Sequence, residues 1–217
     1  METWATYIDQ LVIPGKCHRR GGKGGEGATM KPNQKTLVAG AYHEAGHAVV
    51  ATLLGDTIVD VRLNIDARTV GEIEGRVTRH NPAFAHAERL LAANMPVVRR
   101  TDDANPDMTE LMQAWGTNLI VAFAGPEAQR RHDPKSMRSY RLRDDENDIT
   151  QLLRQVSLQS TREIYRHRAK RSAAVIVRKC WPAIEKVAAA LVERGVLTGE
   201  EIKQIIDENV RVKVERP

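Results

Sequence analysis

Three observations predict a mostly α domain carrying a small antiparallel β element. Hydrophobic residues make up 41% of the chain but aromatics only 4%. The core must therefore be assembled from Ala, Leu, Val and Ile, a composition that favours helices. Apolar residues recur at helical spacings through most of 36–206, the period of an element with one buried face. The stretch 57–78 is rich in β-branched residues with period-two alternation, the mark of a half-buried strand pair.

The elements follow in order. Trp4, Tyr7, Ile8, Leu11 and Val12 form the apolar side of a short N-terminal amphipathic piece. Residues 15–35 are dominated by Gly, Lys and Arg without periodicity, the composition of a flexible tether. No Gly-Lys-Ser/Thr follows at the spacing of a phosphate-binding loop, so that reading is excluded. Thr36 to Leu54 reads as a helix closed by Gly55. Thr57–Leu63 and Thr69–Thr78 read as paired strands joined around Ile65–Arg68. In 81–106, His86, Glu88 and Arg89 mark a short polar helix, and Pro96, Pro106 and Asp102-Asp103 mark loops. From Asp107, the residues Met108, Leu111, Met112, Trp115, Leu119, Ile120 and Phe123 keep helical spacing. Ala124-Gly125-Pro126 is expected to interrupt that run, with a short turn over Glu127–Arg131. Residues 132–147 read as a polar loop. A long helix toward Cys180 follows, with Ile149, Leu152, Leu153, Val156, Leu158, Ile164 and Tyr165 on its buried side. Pro182 opens another helix at a first-turn position, which buries Ile184, Val187, Ala188, Leu191 and Val192 and ends at Gly195. Thr198 and Glu201 have capping-box spacing and open a last helix through Ile206.

These boundaries divide the 217 residues into an N-terminal segment and tether (1–35), one domain (36–210) and a tail (211–217), a single-domain length. Two cysteines, Cys17 and Cys180, supply no disulfide framework and no C-x-x-C pair, which suits a reducing cytoplasm. No stretch reaches the roughly 18 uninterrupted apolar residues of a membrane span. Met1–Pro14, with Glu2 and Asp9, lacks the basic start and apolar block of a signal peptide. The net charge of +5 is spread through helices that also carry acids, without an aromatic-interleaved basic stripe, so nucleic acid is not an expected partner.

The chemistry concentrates in His43-Glu44-Ala45-Gly46-His47. Residues four apart share a helix face, so both imidazoles can reach one Zn²⁺, with Zn–N bonds of about 2.0–2.1 Å. The glutamate beside the first histidine is then placed as general base of a metallohydrolase. A core helix with incidental histidines is the plainer alternative. It is disfavoured, because burying two imidazoles and a carboxylate is costly without partners or metal. A catalytic zinc takes three protein ligands. Periodicity leaves the third open among Glu88, Asp102, Asp103, Glu127, Asp144, Asp145, Glu146 and Asp148.

Four segments, in order, resemble the FtsH-type zinc peptidase domain across about residues 36–208. His-Glu-Ala-Gly-His-Ala (43–48) resembles its opening motif, and Val121–Gln129 is similar to its "LAGRAAE" helix. Glu146-Asn147-Asp148-Ile149 is similar to its "SND" segment, and Gly195–Ile202 to its closing "L-x-G-E-E-I" helix. The resemblance implies an FtsH-peptidase-like zincin fold, zinc as cofactor, Glu44 as catalytic base, and His43, His47 and Asp148 as metal ligands. Asp148, at the expected start of a helix, is also favoured there by the helix dipole without any metal. The chain departs from the family pattern at Pro126, where the family has arginine, and at Gln129, where it has glutamate. None of these 217 residues reads as the transmembrane segments or the AAA+ ATPase that precede the peptidase in FtsH, so a stand-alone peptidase is expected.

The expected activity is therefore zinc-dependent hydrolysis of peptide bonds in unfolded or flexible polypeptides, without an ATPase of its own. A delivery protein or an ATPase acting in trans is the implied partner, and self-association is compatible with the sequence. The alternative is a zinc-containing interaction or regulatory protein that has lost turnover. A basic tether (Lys16–Lys35) binding an anionic partner is the third reading.

Overall fold

Residues 32–65, 73–80, 106–138 and 142–210 are described by the structure, a computed structural model. The expected N-terminal amphipathic piece, the tether up to residue 31, the strand connection, the polar helix near His86 and the tail lie outside the described residues.

Helix α1 (Pro32–Leu53) opens with a proline in the first-turn position that proline tolerates. It takes up the last residues expected to be tether. Gly55, at φ 94°, reverses the chain into strand β1 (Thr57–Ile65). Strand β2 (Ile73–His80) pairs antiparallel with it, from Thr57↔His80 to Ile65↔Ile73. The register shifts between Ile58 and Asp60. The extra residue restores the inward phase: Ile58, Val61 and Leu63 are all buried, while Val59 is turned out to solvent.

Helix α2 (Pro106–His132) runs unbroken for 27 residues and contains Pro126, which corrects the expected interruption at 124–126. Proline removes one backbone donor and crowds the carbonyl four residues back. Packing of Ala124 and Ala128 against α1, both fully buried, outweighs that cost. After a 3₁₀ turn (Pro134–Arg138), helix α3 (Leu142–Arg154) begins inside the stretch expected to be polar loop. Helix α4 (Gln159–Lys179) follows separately. The single long helix expected over 148–180 is thus two. Tight turn bonds from Gln155 N to Leu152 O and Val156 N to Leu153 O close the first, and Arg162 Nε donates to the Val156 carbonyl at 2.6 Å across the break. The break changes the helical phase, so Leu158 and Ile164, expected inside, are 67% and 51% exposed.

Helix α5 (Trp181–Arg194) buries Ile184, Val187, Ala188 and Leu191 as its spacing predicts and ends at Gly195, φ 73°. Strand β3 (Val196–Thr198), not foreseen, pairs antiparallel with β1 at Asp60–Arg62 and completes a sheet of order β2-β1-β3. Three residues are too few to show alternation, and only tertiary pairing makes them a strand. Helix α6 (Gly199–Asn209) opens on the expected capping box, Thr198 Oγ1 accepting from Glu201 N and Glu201 accepting from Thr198 N. The described residues are mostly helical with this one small sheet, as the composition predicts. No helix among the described residues is long and apolar enough to cross a membrane.

The centre of the fold is α1, which packs most extensively on α2 and next on α5. Its inner face carries Ala41, Ala45, Ala48 and Ala51, all fully buried. Small side chains let two helix backbones approach closely, and Gly46 marks the nearest point. A Cβ there would lie 2.6 Å from Ala128 Cβ and 2.7 Å from the Ala124 carbonyl oxygen.

Candidate metal centre

That close crossing places the polar residues of α1 against α2. His43 and Glu44 are 3% and 5% exposed, so each must find a partner inside. His43 Nδ1 lies 3.0 Å from Gln129 Oε1. Gln129 is fully buried, and its amide nitrogen donates to the Ser136 carbonyl at 3.0 Å and to Ser136 Oγ at 3.3 Å. With the amide nitrogen so engaged, the oxygen must accept, and His43 carries its proton on Nδ1. His47 is fixed the same way by another group, Nδ1 donating to the Val121 carbonyl at 2.8 Å. Gly125 makes room for that ring: a Cβ at 125 would sit 2.3 Å from His47 Nε2. Tyr42 stacks on His132 at 3.8 Å and on Trp181 at 5.4 Å, which ties this stretch of α1 to the end of α2 and the start of α5.

Both Nε2 atoms consequently present lone pairs to the same point. They are 3.0 Å apart. Asp145 closes the triangle, with Oδ2 at 3.0 Å from His43 Nε2 and Oδ1 at 3.1 Å from His47 Nε2. Among the described residues, these three are the group of histidine, cysteine and carboxylate side chains able to hold a metal ion. A tetrahedral ion with bonds of about 2.0–2.1 Å separates its ligand atoms by about 3.3 Å. The observed edges of 3.0–3.1 Å lie within a few tenths of an ångström of that. Asp145 Oδ2 is buried without a hydrogen-bond partner among the described residues. Three acceptor atoms facing one another repel unless a cation or a proton stands between them, so the donor set fits a metal ion.

The electrostatics agree. When protons on the two Nε2 atoms stand in for a metal, burial pushes the Asp145 carboxyl upward, but hydrogen bonds from His43 and His47 and the charges of both rings hold it well below the usual carboxylate range. Burial depresses His47, but the hydrogen bond and charge of Asp145, the charge of Glu44 and the Val121 carbonyl together raise it. The pocket stabilises positive charge at the meeting point of the three side chains.

His43, Glu44 and His47 stand where the pentapeptide predicts, on one buried helix. The carboxylate differs. Asp148 lies on the exposed side of α3 and does not belong to the convergent group, which takes Asp145 instead. The reason is the early start of α3 at Leu142. It puts Asp145 in the first helical turns, where the dipole favours a carboxylate, and carries Asp148 round to solvent. Sequence reasoning kept Asp145 among eight open acids and had no signal to separate it. It also gave Gln129 and Gly125 no role. No protein-family model matches the chain, and no curated protein matches its sequence.

Proposed function

We propose that this protein is a zinc-dependent peptidase acting on unfolded or flexible polypeptide. One observation carries the reading: two imidazole nitrogens and a carboxylate converge at 3.0–3.1 Å with both Nδ1 atoms locked outward. Two histidines and a carboxylate with an open fourth position suit catalytic zinc. The same donors suit Fe(II); Glu44 favours the zinc reading, since an acid–base carboxylate beside the ligands is what metal-assisted hydrolysis uses. When bound, zinc supplies a Lewis acid that lowers the pKa of water and polarises a substrate carbonyl.

The protein's own groups do the rest. Gln129 and the Val121 carbonyl hold the rings in the ligating tautomer, and Asp145 balances charge. Glu44 takes the proton of the water whose oxygen attacks the carbonyl carbon. It returns that proton to the amide nitrogen as the carbon–nitrogen bond breaks. The likeness of 43–48, 121–129, 146–149 and 195–202 to the FtsH-type peptidase supports the same chemistry, with the carboxylate moved to Asp145. Substrates arrive unfolded or are delivered by a partner.

Metal analysis paired with digestion of reduced, unfolded casein tests this. Stoichiometric zinc and cleavage abolished by a chelator, then restored by zinc, are expected. Zinc without cleavage would leave a structural clamp, and a protein purified with iron would overturn the assignment.

A further inference from the structure

Helix α4 carries seven basic residues (Arg162, Arg166, Arg168, Lys170, Arg171, Arg178, Lys179) and one acid, Glu163. Its excess of positive charge exceeds the +5 of the whole chain. The two sides of the helix use this charge differently. Ala169, Ala173, Ile176 and Val177 face the core. Arg162 and Arg166 turn back to the protein, Arg162 to the Val156 carbonyl, Arg166 to Glu146 and over the Phe123 ring at 5.9 Å. On the opposite side, Ile164, Arg168, Arg171 and Arg178 follow one another at helical spacings of four, three and seven, and all are exposed. This stripe is about 21 Å long at 1.5 Å per residue. Arg168, Lys170, Arg171 and Arg178 have no acidic partner among the described residues. Leu158 and Ile164, 67% and 51% exposed, stand at its N-terminal end.

We propose that this outer face of α4 docks on an anionic bilayer surface. Guanidinium groups without internal partners match phosphate headgroups in charge and fork geometry. The two exposed aliphatic side chains at one end can enter the acyl boundary and are rewarded by a bilayer, not by a polyphosphate backbone. The exposed side of α4 carries no Trp, Tyr or Phe, and its one exposed ring is His167, a poor platform for successive bases, which sets the bilayer above a nucleic acid. The surface is independent of the metal centre.

Co-sedimentation of the full chain with phosphatidylcholine vesicles, with and without phosphatidylserine, tests it. Binding only to the anionic vesicles, weakened by salt, is expected. At about 1 kcal/mol per basic residue near such a surface, the triple variant Arg168→Gln, Arg171→Gln, Arg178→Gln should lose on the order of 100-fold in partitioning, with zinc content and helicity unchanged. Arg→Lys at the same positions should keep most of it, since the charge is retained. Equal binding to neutral vesicles, undiminished binding by the Gln variant or loss in the Lys variant would overturn the proposal. So would a parent chain that ignores vesicles and binds an RNA or DNA oligonucleotide instead. The basic tether is present in every variant, so it cannot produce the difference.

Discussion

Gln129 Oε1 accepts the Nδ1 proton of His43 at 3.0 Å, inside a buried contact between α2 and α1. A neutral amide here does what a carboxylate would do for ring orientation, and it also donates to Ser136. Removing such an outer partner typically costs 10–100-fold in metal affinity. Gln129→Ala should show a loss in that range by zinc competition with a chromogenic chelator. Gln129→Glu keeps the acceptor and should hold zinc nearly as well. It cannot donate to the Ser136 carbonyl, and should instead lower the melting temperature.

Asp145 and Asp148 are three residues apart on α3 and differ in role. Asp145→Ala should abolish stoichiometric zinc while leaving the helical circular dichroism intact. Asp148→Ala, at an exposed position, should retain zinc and activity. The opposite pattern would show that the carboxylate is supplied as the family resemblance implies.

Two glycines separate packing from ligation. Gly46→Ala drives a methyl into Ala128 and the Ala124 carbonyl and should destabilise by about 1–3 kcal/mol, read by urea unfolding. Gly125→Ala drives a methyl into the His47 ring itself. It should cost zinc binding out of proportion to stability.

Much of this was legible in the sequence, and the limits were physical. The two histidines, Glu44, the helix that carries them, the Thr198–Glu201 capping box and the buried side of α5 rest on local spacing, and local spacing was enough. Pro126 misled because its local preference is to break a helix, whereas the Ala124–Ala128 face is held by α1. Asp145 was hidden because a third ligand is chosen by where α3 begins, and a run of acids does not mark that point. Leu158 and Ile164 read as inside only when one helical phase is carried across the break, which the turn bonds of Gln155 and Val156 make. The basic face of α4 was masked for the same reason: without the helix phase, its arginines looked evenly spread.

In the metal-free protein a proton takes the cation's place, which gives stability a defined pH window. Asp145 is depressed below 3.8. Its contribution is present above that ordinary value and is lost as pH falls through the depressed one. His47 is raised above 6.5, so its contribution is complete below that ordinary value and is lost as pH rises through the raised one. The chelated protein should therefore melt highest between about pH 4 and 6.5, measured by calorimetry. Zinc, which displaces the proton, should move the optimum to the alkaline side.

Glu44→Gln puts the central claim to the most direct test: the side chain keeps its shape and loses only its capacity to take a proton. Zinc content and casein cleavage are measured on parent and variant at equal occupancy. Unchanged zinc with cleavage lowered by about 10²–10⁴-fold, the usual size of a general-base contribution, is the predicted result. A variant that cleaves as fast as the parent would contradict it.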